Sequence, residues 1–297
     1  MTHLIQLRTF LEAYRFRSLS RAAARLNITQ PAASLHVKSV ETLVGKPLFV
    51  RTVRGLTPTA VADELVQRIG SSFDELEAQL AGFKAHSGEL TGVVHLVGPA
   101  EYVGVRVAPL LLPLMEKRIQ VRIQSGNRDF IYQSLRSAAA DLAFTASRPS
   151  SAGIGYAVLG VEQLKLVVSA NYAKSFGRSL NPEKLQHIPL LAYDAELPLI
   201  REVMNQAFKI VANYTPAILV PDLRAIATML RAGMGWSVLP DYLCDDDIRA
   251  GQLLAPKLPQ PCTPNSLYLA WNKSALRQPR VIYVRDFLLR QFGVNAK

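Results

Sequence analysis

The chain reads as an α/β protein made of an N-terminal winged helix-turn-helix, one long linker helix and a C-terminal α/β module. Three observations carry that reading. Residues 17–45 form two short helical runs around a tight turn. Residues 58–86 hold apolar side chains at intervals of three and four over a length that, at ~1.5 Å per residue, spans ~43 Å. From Val93 onward, apolar runs of strand length alternate with helical stretches.

A first helix from Leu4 to about Arg15 supplies Leu7, Phe10, Leu11 and Tyr14. The next runs from about Ser20, as N-cap, to Leu26, and turns through Asn27 and Ile28. The third begins near Gln30 and Pro31, where proline's missing N–H would have no intrahelical acceptor anyway, and stops at Gly45. Its Ala33, Val37, Val40 and Val44 recur at spacings of four, three and four, which leaves Gln30, Ser34, Lys38 and Glu41 on the other surface. A helix with small polar side chains on its leading face is shaped to enter DNA. Leu48 to Thr57 reads as a short basic hairpin around Arg51, Arg54 and Gly55.

Helical periodicity alone would also suit a small bundle with no ligand, but charge argues against that. Residues 1–60 carry nine Lys or Arg against two Glu, a net +7 that attracts phosphates and releases counterions on contact. Gln30, Ser34 and His36 are expected at base edges, and Thr29, Lys38, Arg51 and Arg54 at phosphates or the minor groove. Ser18, Ser20, Pro31 and Leu35 complete the expected interface. Leu35 can meet a thymine methyl but cannot bond a guanine edge.

Phe10, Ser18, Ala22-Ala23, Leu26, Thr29-Gln30-Pro31-Ala32-Ala33-Ser34, Glu41, Gly45, Pro47-Leu48-Phe49, Arg51 and Leu56-Thr57-Pro58 occur in that order. This stretch resembles the DNA-binding end of LysR-type transcriptional regulators. It departs from their usual pattern at Leu35, where a polar or basic side chain is common, at Val40, where leucine precedes the glutamate, and at Ala60, where glycine follows Leu-Thr-Pro.

From Pro58 to about His86, Val61, Leu65, Ile69, Phe73, Leu76, Leu80 and Phe83 form a stripe whose last intervals have a coiled-coil rhythm. The helix is too long and too narrowly apolar for a compact head, so Leu65, Ile69, Phe73, Leu76 and Leu80 are expected to meet a partner helix. The other reading is packing on its own domain. A net −3 over residues 61–86 argues against a path along DNA. The resemblance implies dimerisation here, which spaces two reading heads for a palindromic site. Ser87-Gly88 to Gly92 reads as a hinge. The expected units are therefore 1–60, 58–86 and 88–297.

In the second module, 94–97, 119–124, 142–145, 164–168, 190–193, 217–220 and 237–239 read as strands, largely parallel and buried. Helical stretches lie at 105–115, 130–138, 199–208 and 223–232. In open sheets of this kind ligands bind at the carboxyl ends of the strands. Those ends carry Ala100, Glu101 and Tyr102, then Asn127 and Arg128, then Thr145 and Ser147, with Tyr193, Asp194 and Asp222 across the cleft. Glu101, Asp194 and Asp222 suit a cationic group, while Arg128 or N–H groups at a helix start suit a carboxylate. An amino acid or polyamine-like effector fits that mixture. Asp194 and Asp222 are equally readable as helix caps or solvated loop residues.

The resemblance extends into this half through Ala225-Ile226-Ala227 and Gly233-Met234-Gly235-Trp236-Ser237-Val238-Leu239-Pro240. It implies two α/β subdomains resembling a periplasmic binding protein, with crossovers near Val161 and Leu267. The family often places serine or threonine after the first strand, so Pro99-Ala100-Glu101 argues against a simple carboxylate pocket. A net +7 over residues 87–297 leaves an anionic effector open.

A length of 297 residues suggests about two domains, and 49% hydrophobic with 19% charged residues is ordinary for a globular chain. Cys244 and Cys262 lie far from any Cys-x-x-C spacing and read as unpaired thiols in a reducing compartment. No signal-peptide core precedes the first helix, and the apolar patch at 110–115 is too short to span a bilayer, so a cytoplasmic protein is expected. The five histidines have no metal-ligand spacing, and there is no Gly-x-Ser-x-Gly elbow or phosphate loop, so neither an enzyme nor a metal or other cofactor is expected. Asp245-Asp246-Asp247 reads as a solvated turn.

The resulting expectation is a dimeric or tetrameric regulator that binds double-stranded DNA and senses a small molecule, an amino acid or carboxylate, with RNA polymerase a further candidate partner. The rivals are a small-molecule binding protein or enzyme whose N-terminal helices serve assembly only, and a non-specific chromosome-organising binder.

Overall fold

The computed structural model describes residues 3–52, 55–85, 90–151, 153–172 and 180–294, with the side chains of 51, 52, 55, 78 and 82–85 outside that description. Helices α1 (His3–Phe16), α2 (Leu19–Leu26) and α3 (Gln30–Val44) and the antiparallel hairpin β1 (Phe49–Thr52) and β2 (Gly55–Pro58) make the N-terminal head. Phe10, Leu11, Val37, Val40 and Leu48 are its core.

Caps set its corners. Ser18, not Ser20, caps α2: its Oγ accepts the Arg21 N–H at 3.3 Å, because Ser18 holds the extended backbone an N-cap needs and Ser20 already lies inside the helix. Asn27 ends α2 in the left-handed region, Thr29 caps α3 by accepting the Ala32 N–H, and Gly45 ends α3 at φ 73°. Glu41 is not a solvated surface group. Its Oε1 accepts the Leu48 and Phe49 N–H groups at 2.8 and 3.4 Å and so ties the hairpin to α3.

Helix α4 (Ala60–Ala85) carries the expected seam residues and places one of them, Phe73, otherwise than expected. Phe73 is buried in the head's own core, where Val61, Leu65 and Val66 also pack, and Ala81 joins the core of the following unit. Part of the stripe is used within the chain because α4 runs against α1 at one end and against the 3-10 turn Lys273–Arg277 at the other, while Ile69 stays half-buried outside the cores. Leu76 and Leu80, 46% and 59% exposed, remain outside those cores. The Phe83 side chain, His86 at the expected end of the linker helix and residues 87–89 of the expected hinge lie outside the described residues.

The rest of the chain forms two α/β units. Strand β3 (Gly92–Gly98) leads through α5 (Ala100–Tyr102) and a π-helical stretch at Val103–Val107 to α6 (Leu112–Glu116), followed by β4 (Ile119–Ser125), α7 (Arg128–Arg136), β5 (Leu142–Thr145) and β6 (Ile154–Glu162). The chain then enters the second unit with β7 (Leu164–Ser169), α8 (Pro182–Leu185), β8 (Leu191–Ala192), α9 (Pro198–Phe208), β9 (Ile218–Leu219), α10 (Leu223–Arg231), β10 (Trp236–Pro240), α11 (Asp241–Arg249) and β11 (Leu253–Leu254). It returns through β12 (Asn265–Asn272) and ends in α12 (Pro279–Gln291).

The sheets are mixed where largely parallel ones were expected: β3 with β4 and β5, and β8 with β9, are parallel, and β5, β7, β8 and β10 are buried, but the remaining pairings are antiparallel. In the first, ordered β4-β3-β5-β12-β6, β3 is parallel to β4 and β5, but β12 runs antiparallel between β5 and β6 because it re-enters from the other unit. Strand β4 is an edge strand and mostly exposed. In the second, β10 and β11 flank β7, both antiparallel. The Asp245–Asp247 run lies in α11, where the three carboxylates point apart to Lys165, Arg249 and Arg231. Among the described residues no helix is long and apolar enough to cross a membrane.

Candidate nucleic-acid interface and ligand cleft

Helix α3 is buried on one side by Ala33, Val37 and Val40 and presents Gln30, Pro31, Leu35 and Lys38 outward, with Ser34 half-buried among them. Spacings of four bring Gln30, Ser34 and Lys38 into one row about a turn apart. Leu35 stands 66% exposed beside that row, so an apolar tip is part of the surface. His36 does not join it: its Nδ1 lies 2.9 Å from Oγ1 of the buried Thr9, against α1. Thr29 and Ser18 each hold a backbone N–H as caps. Arg51 is carried on β1 with its side chain outside the described residues, as is the whole of Arg54.

The second site is a cleft of ≈ 490 Å³ between the two α/β units. Its walls bring together Glu101, Tyr102, Asn127, Arg128, Thr145, Ser147, Tyr193 and Asp194, as expected from the strand ends. Two expected residues are absent from the walls. Ala100 only starts α5 beside Glu101. Asp222 caps α10, its Oδ1 accepting the Arg224 N–H at 2.9 Å while the Arg224 guanidinium pairs with Oδ2 at 2.7 Å, and this bonding holds it below the usual carboxylate range. Asp194 has a structural bond too, accepting the Leu197 N–H at 3.0 Å. Thr145 Oγ1 accepts the Ser147 N–H at 3.1 Å, which shapes the third strand end.

Sequence reasoning missed Glu162, Glu196, Tyr242 and Asn265, all of which line the cleft. Glu162 and Asn265 sit where the chain leaves and re-enters the first sheet, so no strand-end rule points to them. Glu101 and Glu162 are each only 6% exposed. Burial pushes both carboxyls up, Glu162 to about 7; the Asn265 amide, 3.4 Å from Glu162, offsets part of that, and Asp241 and Glu101 add repulsion. Burial and then Glu101 raise the hydroxyl of Tyr193 on the facing wall.

A pH prediction follows from that environment. The folded state holds the Glu162 proton more tightly than the unfolded chain, so stability falls as pH rises from about 4.5 through about 7, and the penalty is complete above that. Glu162→Gln is expected to raise stability at pH 8 by on the order of 2 kcal/mol and to change it little at pH 4.5. Urea unfolding at the two pH values checks this; an equal effect at both would place the carboxylate in water.

Residues 4–63 match the bacterial regulatory helix-turn-helix of the lysR family, and residues 87–293 match the LysR substrate binding domain. The chain belongs to the LysR family of transcriptional regulators. A LysR-type regulator binds DNA through the first of these domains and responds to a small molecule through the second. The chain is 31% identical over 295 residues to the transcriptional regulator AbaB of Streptomyces antibioticus, covering 96% of this chain and 97% of that one. It is similar in fold to CrgA of Neisseria meningitidis (22% identity, TM-score 0.62, covering 97% of this chain and 98% of that one). It is also similar to the full-length LysG of Corynebacterium glutamicum with bound effector Arg (18% identity, TM-score 0.66, 99% of both chains).

This LysR regulator also fastens its head to its own ligand-binding half. Arg277, in the 3-10 turn before α12, donates to Glu12 of α1 at 2.6 Å and to Glu77 of α4 at 3.1 Å. Arg15 bonds the same Glu12 oxygen at 2.8 Å and also pairs with Asp74. Burial alone would push the Glu12 carboxyl up, but Arg277 and Arg15 together hold it below the usual range.

Proposed function

We propose that this regulator reads promoter DNA with the outward row of α3 and senses its effector in the cleft between the α/β units. The working units of that reading are a DNA-reading head over 1–60, a linker and dimerisation helix over 58–86, and an effector-binding module over 88–297. The observation that carries it is the row of Gln30, Ser34 and Lys38 on a helix whose opposite side is core, in a head of net charge +7. Gln30 and Ser34 meet base edges, Leu35 favours a thymine methyl, and Lys38, Arg51 and Arg54 hold phosphates or the minor groove. The protein acts in the cytoplasm as a dimer or tetramer, with Leu76 and Leu80 as the part of α4 left to meet a partner and RNA polymerase as a candidate contact. The cleft senses and does not catalyse. An amino acid suits it, since Arg128 and the start of α7 face buried acids across the space, and the related LysG fold carries arginine as its effector.

The test compares an operator found by genomic footprinting with random duplex. Ser34→Ala is expected to lose about 0.5–1.5 kcal/mol on the operator and little on random DNA. Lys38→Ala should weaken both by similar factors and reduce the salt slope by about one ion. Equal losses on both duplexes for both variants would refute the assignment of base reading to this row.

A further inference from the structure

We propose that the effector is an organic cation whose positive group sits between Glu101 and Glu162. The proposal rests on the reading of the cleft as the effector site and adds the chemistry that selects the ligand. Glu101 is nine-tenths buried, lines the cleft, and its Oε2 has no hydrogen-bond partner. An unsatisfied buried acceptor is expensive unless something that donates arrives to meet it. Glu162 is equally buried, with a single 3.4 Å contact from Asn265.

The surroundings do not supply the missing charge. Arg128 is the only Lys or Arg among the lining residues, against Glu101, Glu162, Asp129, Asp194 and Glu196. Arg224, whose field reaches Glu101, is engaged by Asp222 through both its Nε and an Nη. Burial holds both carboxyls in the higher range already described, with Asp222 adding repulsion at Glu101, and Asp241 and Glu101 adding it at Glu162. A cation with N–H donors relieves both defects at once, satisfying the orphan oxygen and neutralising the pair. Among the described residues no three His, Cys, Asp or Glu are grouped to hold a metal ion, so the cation is organic. Tyr102 and Tyr242, in edge contact at 5.9 Å, give it aromatic walls.

The position adds a regulatory consequence. Glu101 belongs to the first unit, and Glu162 closes the last strand before the chain crosses to the second. Both glutamates belong to the first unit, so the cation couples the units only through what it also meets on the second unit's wall, where Tyr193, Asp194 and Glu196 line the cleft.

Titration calorimetry on the full-length protein decides it, with L-leucine, L-lysine and putrescine each compared with its fully N-acetylated form, and succinate as the anion. At least one amine is expected to bind, to bind about tenfold or more weakly once acetylated, and to lose about tenfold or more on Glu101→Gln and on Glu162→Gln. Binding of the two amino acids but not putrescine would identify an amino acid as the source of the cation, and the reverse a polyamine. The proposal is overturned if no amine binds, if the acetylated forms bind equally well, or if both variants bind as wild type does. If succinate alone binds, and Arg128→Ala abolishes it, the cationic class is wrong while the cleft remains the effector site. An amine that binds through both glutamates yet leaves operator affinity and footprint unchanged would instead uphold the cation site and overturn its role as the sensor.

Discussion

Arg277→Ala is expected to destabilise the protein by about 3–5 kcal/mol, because it takes the buried guanidinium from two carboxylates and leaves each with one arginine, Arg15 at Glu12 and Arg8 at Glu77. The Arg277 side chain is only 5% exposed, its two partners lie on α1 and α4, and Glu12 is as deeply buried as it is. Removing the guanidinium strands the Glu12 charge in a site where Arg15 alone must compensate it. Arg277→Met combined with Glu12→Gln and Glu77→Gln should cost much less, since no buried charge is left unpaired: Arg15 keeps Asp74, and Arg8, which loses Glu77, is 44% exposed. Denaturant unfolding followed separately by a head-directed and a cleft-directed probe measures both, because a chain of several units need not unfold in one step. The loss should fall first on the attachment of the head, so DNA binding would survive while its response to effector weakens. A loss under about 1 kcal/mol, or the same loss for both variants, would mean the ion pair is not what holds head and module together.

Gly235→Ala is expected to cost about 3–5 kcal/mol and to abolish the effector response while leaving the head's affinity for DNA. Gly235 has φ +60°, and a Cβ added there would overlap the Pro189 carbonyl oxygen. That oxygen accepts the Trp236 N–H at 2.9 Å, and the neighbouring Gly235 carbonyl accepts the Ser169 N–H at 2.9 Å, so neither side can move without breaking a bond of the sheet. The strain of a left-handed non-glycine residue adds to the overlap. Trp236, fully buried with its indole N–H on the Leu185 and Ile188 carbonyls, would be displaced with it. Near-ultraviolet circular dichroism and calorimetry with whichever amine the wild type binds read the two effects. Native tryptophan signal with unchanged ligand affinity would contradict the packing account.

The head was legible because its signals are local. Pro31 at the start of α3, Gly45 at its end, the 33-37-40 apolar spacing and the excess of basic residues each lie within a few turns of one another, and a helix carries such information in a window of about eleven to eighteen residues. The second half was legible only in part. The strands at 92–98, 119–125 and 142–145 announce themselves by apolar runs, and their carboxyl ends located most of the cleft wall. Strand β12 and helix α12 did not announce themselves, and with β12 went the antiparallel pairing that the alternating pattern cannot distinguish from parallel.

By itself, then, the sequence determined the winged helix-turn-helix, the long helix after it, the alternating α/β character of the remainder and the basic head, all properties of neighbours along the chain. Tertiary structure alone decided that Phe73 serves its own head, that His36 turns to Thr9, and that Glu162 joins Glu101. It also decided that Arg277 meets Glu12 across 265 positions. Those pairings depend on how distant segments dock, and a charged side chain gives no local sign of whether it will face water, a counter-ion or a cleft.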